Sequence, residues 1–291
     1  MTPMKLKLRN GELLEQTDSQ ERLLGFLYGT VPGRLLLKPL TAPWISRAAG
    51  WFLSSRASCF LIRPFIRSNG IDMSQFEDVA YESYNAFFSR KIRPEVRPLD
   101  LCPSHLISPC DSRLTVLPIT RDCRFTIKHT EYTLESLLKD KALADQYRGG
   151  QLLIFRLCVD DYHRYCYFAG GRREDFRAIP GVLHTVNPIA NDHFPIYKEN
   201  AREFTVLHTD AFGDAVMMEV GALLVGKIVN HPGDPLVTRG QEKGYFRFGG
   251  STVVVVLKAG AAQIDPDLLE NSGEGIETQV RYGEKIGISL L

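Results

Sequence analysis

Four consecutive valines and a leucine, Val253-Val254-Val255-Val256-Leu257, follow directly on Phe248-Gly249-Gly250-Ser251-Thr252. β-Branched side chains in unbroken succession favour extended backbone, and an apolar run of this length reads as a buried strand. The glycine pair in front tolerates backbone angles closed to other residues, so the chain can bend sharply before it enters the strand. In such a bend the Ser251 oxygen can reach the Gly250 carbonyl. The same residues also make an ordinary bulge or tight turn, and at these positions alone both readings stand.

At 291 residues the chain can bury a sizeable core, as one large domain or as one domain with an N-terminal extension. A formal net charge of +1, with no lysine/arginine block, gives no reason to expect a nucleic-acid partner. Six cysteines, Cys59, Cys102, Cys110, Cys123, Cys158 and Cys166, are scattered without a C-x-x-C pair and without a secretory leader, which predicts reduced thiols in a cytosolic setting. His163 and Cys166 have no second pair at zinc spacing, so no metal is expected. No apolar run approaches the roughly 18 residues of a membrane-spanning helix.

Between Glu21 and Asp72 there is no acidic residue, whereas Arg22, Arg34, Lys38, Arg47, Arg56 and Arg63 are interleaved with apolar side chains from Leu23 to Phe65. Both tryptophans, Trp44 and Trp51, lie there. Aromatic and basic residues together suit the interface of an anionic membrane, and they equally suit an amphipathic helical layer packed on a core. Beyond it, Phe76 to Arg90 predicts a helix ended by the segment containing Pro94 and Pro98. Strands are expected at 114–117, 152–157, 162–168, 204–208, 215–220, 223–229 and 252–257, and a short helix over 133–139 capped by Thr133. The pattern predicts an α+β fold: a β-rich antiparallel domain from residue 76 to 291 with an N-terminal helical layer over residues 1–75.

Several further segments stand in a fixed order: Ser108-Pro109-Cys110-Asp111-Ser112, Asp161-Tyr162-His163-Arg164-Tyr165, Val186-Asn187-Pro188, Glu219-Val220-Gly221-Ala222, and Lys243-Gly244-Tyr245-Phe246 before the Gly249-Gly250-Ser251-Thr252 run. From about Phe76 to Leu291 the chain resembles the phosphatidylserine decarboxylases. The resemblance implies self-cleavage between Gly250 and Ser251 into a β chain (1–250) and an α chain (251–291) that stay associated. It further implies a covalent pyruvoyl group made from Ser251, which takes the substrate amine as a Schiff base and accepts electrons during decarboxylation. The expected substrate is phosphatidylserine and the product phosphatidylethanolamine, at the cytoplasmic face of an anionic membrane, with a homo-oligomer expected. A related pyruvoyl decarboxylase for another amino-acid or archaeal-lipid substrate, and an uncut lipid-binding protein, are the alternatives.

A serine hydroxyl needs a base, commonly a histidine oriented by a carboxylate. The resemblance favours Asp111 as that carboxylate, although Asp after proline also forms an ordinary Asx-turn. His163 matches the family's first histidine, associated with decarboxylation. Cys166 stands where many members carry a second. The expected base is therefore His163 or His184, each of which could also be a hydrogen-bonded core residue.

Overall fold

The computed structural model describes residues 4–16, 21–30, 32–33, 35–36, 43–127, 130–185, 196–222, 227–247 and 251–291. Its centre is an eleven-stranded sheet in which Ser251–Leu257 lies between Gly213–Val220 and Gln151–Leu157, antiparallel to both. Glu219 pairs with Val253 and Val220 with Thr252 on one side, and Ser251 pairs with Leu157 on the other. Outward from 151–157 come Ser112–Pro118, Glu277–Val280, Met4–Lys7 and Leu13–Gln16. The pairing of Met4–Lys7 with Glu277–Val280 is parallel.

The valine run is continuous because both faces of the sheet are covered. Val253, Val255 and Leu257 join one core with Leu153, Phe155, Leu157, Ala215 and Met217. Val254 and Val256 join another with Leu152, Ile154, Val216 and Met218. This is the two-residue alternation of a strand, and each fully buried valine contributes roughly 1.5–3 kcal/mol before chain entropy is set against it. Two small sheets cover the first face. One is ordered Ile228–Asn230, Glu242–Phe246, Arg164–Cys166; the other Ala262–Ile264, Lys285–Ser289, His105–Ile107. The second face packs on the helices Leu134–Leu138 and Ile196–Glu199 and on Leu27 and Tyr28 of the helix Glu21–Gly29.

The helix expected over Phe76–Arg90 is confined to Tyr84–Phe88, with the Ser83 hydroxyl accepting the Ala86 N–H at 3.1 Å. Phe76 instead bridges Ile92, and the Glu77 N–H donates to the Lys91 carbonyl at 2.9 Å, so long-range pairing overrides the helical spacing. The strand expected over 162–168 shrinks to Arg164–Cys166. Part of the 223–229 expectation lies outside the described residues, and the strand there is Ile228–Asn230. The Thr133 cap holds: its hydroxyl accepts the Ser136 N–H at 3.1 Å, and Lys139 ends the helix at φ 55°.

Helices at Glu21–Gly29, Pro43–Leu53 and Ile62–Asn69 form the N-terminal layer, and Leu53 packs with Tyr84, Phe87 and Phe88. Residues 4–16 are not part of it. They form a hairpin at the sheet edge, pinned where Arg9 meets Asp267 at 2.6 Å and Asp265 at 2.8 Å.

Candidate active site

Ser251 is the first residue of its strand and 1% exposed, and among the described residues its Oγ has no hydrogen-bond partner. Alternation from Val253 and Val255 places its side chain on the first face, the one covered by the sheet containing 164–166 and 242–246. Gly249 and Gly250 lie outside the described residues.

From Leu157, which pairs with Ser251, the chain makes a closed turn to His163. The Cys158 N–H donates to Asp161 Oδ2 at 2.6 Å, and the Asp161 N–H returns to the Cys158 carbonyl at 3.1 Å. His163 Nδ1 lies 2.9 Å from the Asp161 carbonyl. A carbonyl only accepts, so Nδ1 carries the hydrogen and the neutral ring presents Nε2 as its basic nitrogen. The ring is fully buried, 4.1 Å from that of Phe88 between centroids. The His163 carbonyl accepts the Phe246 N–H at 2.9 Å. His163 is thus tied both to the turn that follows Ser251's partner strand and to the end of the strand that leads toward Gly250. Burial, aided by neighbouring Asp160, pushes the Asp161 carboxyl up to about 7.

Asp111 is buried but takes a different partner from the one expected. Arg97 grips it with Nε at 3.0 and 3.1 Å and Nη2 at 2.7 Å, while the Tyr282 N–H donates to Oδ1 at 2.7 Å. Among the described residues no histidine bonds to it. The guanidinium fork matches both carboxylate oxygens, which leaves little room for an imidazole. Cys166 is held nearby by its N–H to the Pro109 carbonyl at 2.9 Å, and its thiol is in hydrogen-bond contact with Tyr282. Burial pushes that thiol up to about 12, so it is protonated at neutral pH and is no base.

His184 is on the second face. Asn200 accepts its N–H at 3.0 Å and donates to its carbonyl at 2.8 Å and to that of Gly221 at 2.7 Å. Its Nδ1 is 3.5 Å from the Tyr28 hydroxyl and its Nε2 3.8 Å from the Glu199 carboxylate, and burial lowers its pKa. Asn187 and Pro188 lie outside the described residues. The structure therefore ties His163 through its backbone to the small sheet that covers the Ser251 face, and His184 to Tyr28 on the other face. Arg97, Asp161 and Tyr282 receive no role from the sequence.

Cys158, Asp160 and Asp161 present ligand atoms within 4.8 Å of one another. Arg156 Nη1, 3.1 Å from the Cys158 sulfur, opposes a cation there, and burial pushes that thiol up to about 12.

Residues 84–288 match the family described as phosphatidylserine decarboxylase. The chain is 46% identical over 288 residues to phosphatidylserine decarboxylase proenzyme 2 of Clostridium acetobutylicum, covering 98% of this chain and 99% of that one. It is 40% identical to the proenzyme of Ruminiclostridium cellulolyticum, with 91% of each covered, and 38% identical to one from Desulfitobacterium hafniense, with 92% of each covered. The chain belongs to the phosphatidylserine decarboxylase family. Its proenzymes use a pyruvoyl group derived from a serine. Ser251 fits that origin, since conversion to a ketone removes a buried hydroxyl that has no partner among the described residues.

Proposed function

We propose that this chain is a phosphatidylserine decarboxylase proenzyme that cuts itself between Gly250 and Ser251, into residues 1–250 and 251–291. The observation that carries this reading is Ser251 at the head of a buried strand, on the face covered by the small sheet whose Phe246 N–H bonds the His163 carbonyl. Ser251 Oγ attacks the Gly250 carbonyl carbon, the C–N bond breaks, and an ester forms with a free amine at residue 251. Loss of the Ser251 α-proton and the Cβ–Oγ bond frees the Gly250 carboxylate and leaves dehydroalanine. Water then replaces the nitrogen, which departs as ammonia.

His163 Nε2 takes the Ser251 hydroxyl proton, with Asp161's carbonyl fixing the tautomer. In turnover the pyruvoyl ketone supplies the electron sink for the pair released as carbon dioxide leaves phosphatidylserine. His163 returns a proton to the substrate carbon, giving phosphatidylethanolamine. Asp111, locked to Arg97, fixes the Tyr282 backbone beside Cys166 and shapes the wall of the site. Intact-mass measurement tests the cut: wild type should contain a fragment beginning at residue 251 with pyruvoyl in place of serine, and Ser251→Ala a single full-length chain. A wild-type mass equal to the unmodified chain, with decarboxylase activity present, overturns the reading.

No helix among the described residues is long and apolar enough to cross a membrane. Phe26, Trp51 and Phe60 are exposed at 44%, 80% and 67%, beside exposed Arg56, Arg63 and Arg67. These support a peripheral layer, the helices between residues 21 and 69, that docks the rest of the chain on the anionic cytoplasmic face of a membrane. Liposome binding that ignores both lipid charge and salt would leave the layer purely structural.

A further inference from the structure

Two of the sequence segments that stand in fixed order, Glu219-Val220-Gly221-Ala222 and Lys243-Gly244-Tyr245-Phe246, meet through charged side chains that the mechanism above does not use. Lys243 Nζ donates to Glu219 Oε2 at 2.5 Å and to Asn230 Oδ1 at 2.9 Å. Asn230 Nδ2 donates in turn to Glu219 Oε2 at 3.0 Å and to Glu203 Oε1 at 2.5 Å, and the Tyr165 hydroxyl donates to Asn230 Oδ1 at 3.1 Å. Glu219 and Lys243 are each 0% exposed; no other ion pair among the described residues has both side chains at that value. Gly244 allows this packing, since a Cβ there would lie 2.2 Å from the Val229 carbonyl.

The pair joins different sheets. Glu219 belongs to the central strand 213–220 and Lys243 to 242–246 in the small sheet. Glu219 is directly opposite Val253, so on the first face it is the diagonal neighbour of Ser251. Lys243 lies on the strand that feeds the bond to be cut, and that strand's Phe246 holds the His163 carbonyl. The chain crosses from one sheet to the other between Phe246 and Ser251, and the scissile Gly250–Ser251 bond lies on that crossing. How far the crossing must stretch is set by where the two sheets sit.

We infer that the buried Glu219–Lys243 pair is a positioning device for self-cleavage, holding the strand before the cut and His163 in fixed relation to Ser251. This rests on the proposed cut at Ser251. A buried ion pair is a poor source of stability, because removing two charges from water offsets most of their attraction, and an apolar pair of similar size commonly matches it. It is well suited to a fixed geometry, since short charge-assisted bonds tolerate little displacement. Burial raises the Glu219 pKa and lowers that of Lys243, with each charge opposing the shift of the other.

The test is the double variant Glu219→Leu/Lys243→Met, followed by thermal unfolding and by intact mass against time after synthesis, with wild type beside it. The expected result is a folded protein with Tm at or above the wild-type value whose cleavage is slowed on the order of 100-fold, the scale of effect of about 1 Å of misplacement at a reacting centre. Lys243→Met alone, which strands a buried carboxylate, should lose both stability and cleavage. A double variant that cuts at the wild-type rate, or that fails to fold, overturns the inference, because either result leaves the pair a purely structural contact. A wild-type chain that never cuts would instead remove the proposed function on which the inference rests.

Discussion

The two faces of the central sheet bury similar aliphatic side chains and differ in the polar groups set among them. The first carries Ser251, the Glu219–Lys243 pair and the small sheet that anchors His163. The second carries His184, tied by Asn200 to Gly221 and close to Tyr28, in a setting of satisfied backbone bonds. Consecutive residues Ser251 and Thr252 point to opposite faces, so only one of them can serve a site built on either side. The difference separates the two histidines that the sequence offers as candidate bases.

The sharpest way to break this comparison is to exchange the histidines for alanine one at a time. His163→Ala should slow cleavage by about 10²–10⁴-fold, the usual worth of a general base. His184→Ala should cleave at about the wild-type rate while unfolding at lower temperature. Intact mass with time reads the first effect and a thermal melt the second; normal cutting in His163→Ala with a stalled His184→Ala would reverse the assignment of the faces.

A smaller effect is expected at Asp111. Asp111→Ala leaves Arg97 without its carboxylate in a site where both side chains are nearly covered, at a cost of roughly 1–3 kcal/mol. Uncut chain should accumulate, and Cys166→Ala should still process. If Cys166→Ala stalls while both histidine variants cut, a thiolate takes the place of the imidazole.

A separate effect, on stability rather than on cleavage, concerns Asp161. Its folded pKa of about 7 lies above the ordinary 3.8, so the native state binds the extra proton between those values. Stability from this group is present at low pH and is lost as pH rises through about 7. Asp161→Asn should flatten that fall in a series of melts from about pH 4 to 8, and an unchanged slope would place the carboxyl in water.

Much of the fold is legible in the chain because it is written locally. The valine run, the Thr133 cap and the strands at 151–157 and 202–220 follow from spacing and side-chain shape. Phe76–Arg90 misleads because the Phe76–Ile92 bridge is decided by partners distant in sequence. The site divides in the same way. Ser251 and His163 are visible as residues, but the ion pair of Asp111 with Arg97 and the meeting of Glu219 with Lys243 exist only after the chain has folded. Only Glu219 carries a local signal, a charge inside the otherwise apolar run Ala-Val-Met-Met-Glu-Val.

The order in which the sheet is laid down has a consequence for when the protein can become active during synthesis. The strand 251–257 must slot between neighbours made some 40 to 100 residues earlier, a non-local pairing of the slow-forming kind. Residues 277–280, made later still, bridge strand 112–118 to residues 4–7, so a late part of the chain closes against an early one. A polypeptide made only as far as Ser251 lacks the strand that seats it, and one that stops before residue 277 lacks the sheet neighbour of strand 112–118. Chains truncated before residue 277 should accordingly stay uncut, and cutting in such fragments would show that the local turn suffices. Uncut fragments would make the cut a check on the completeness of the fold.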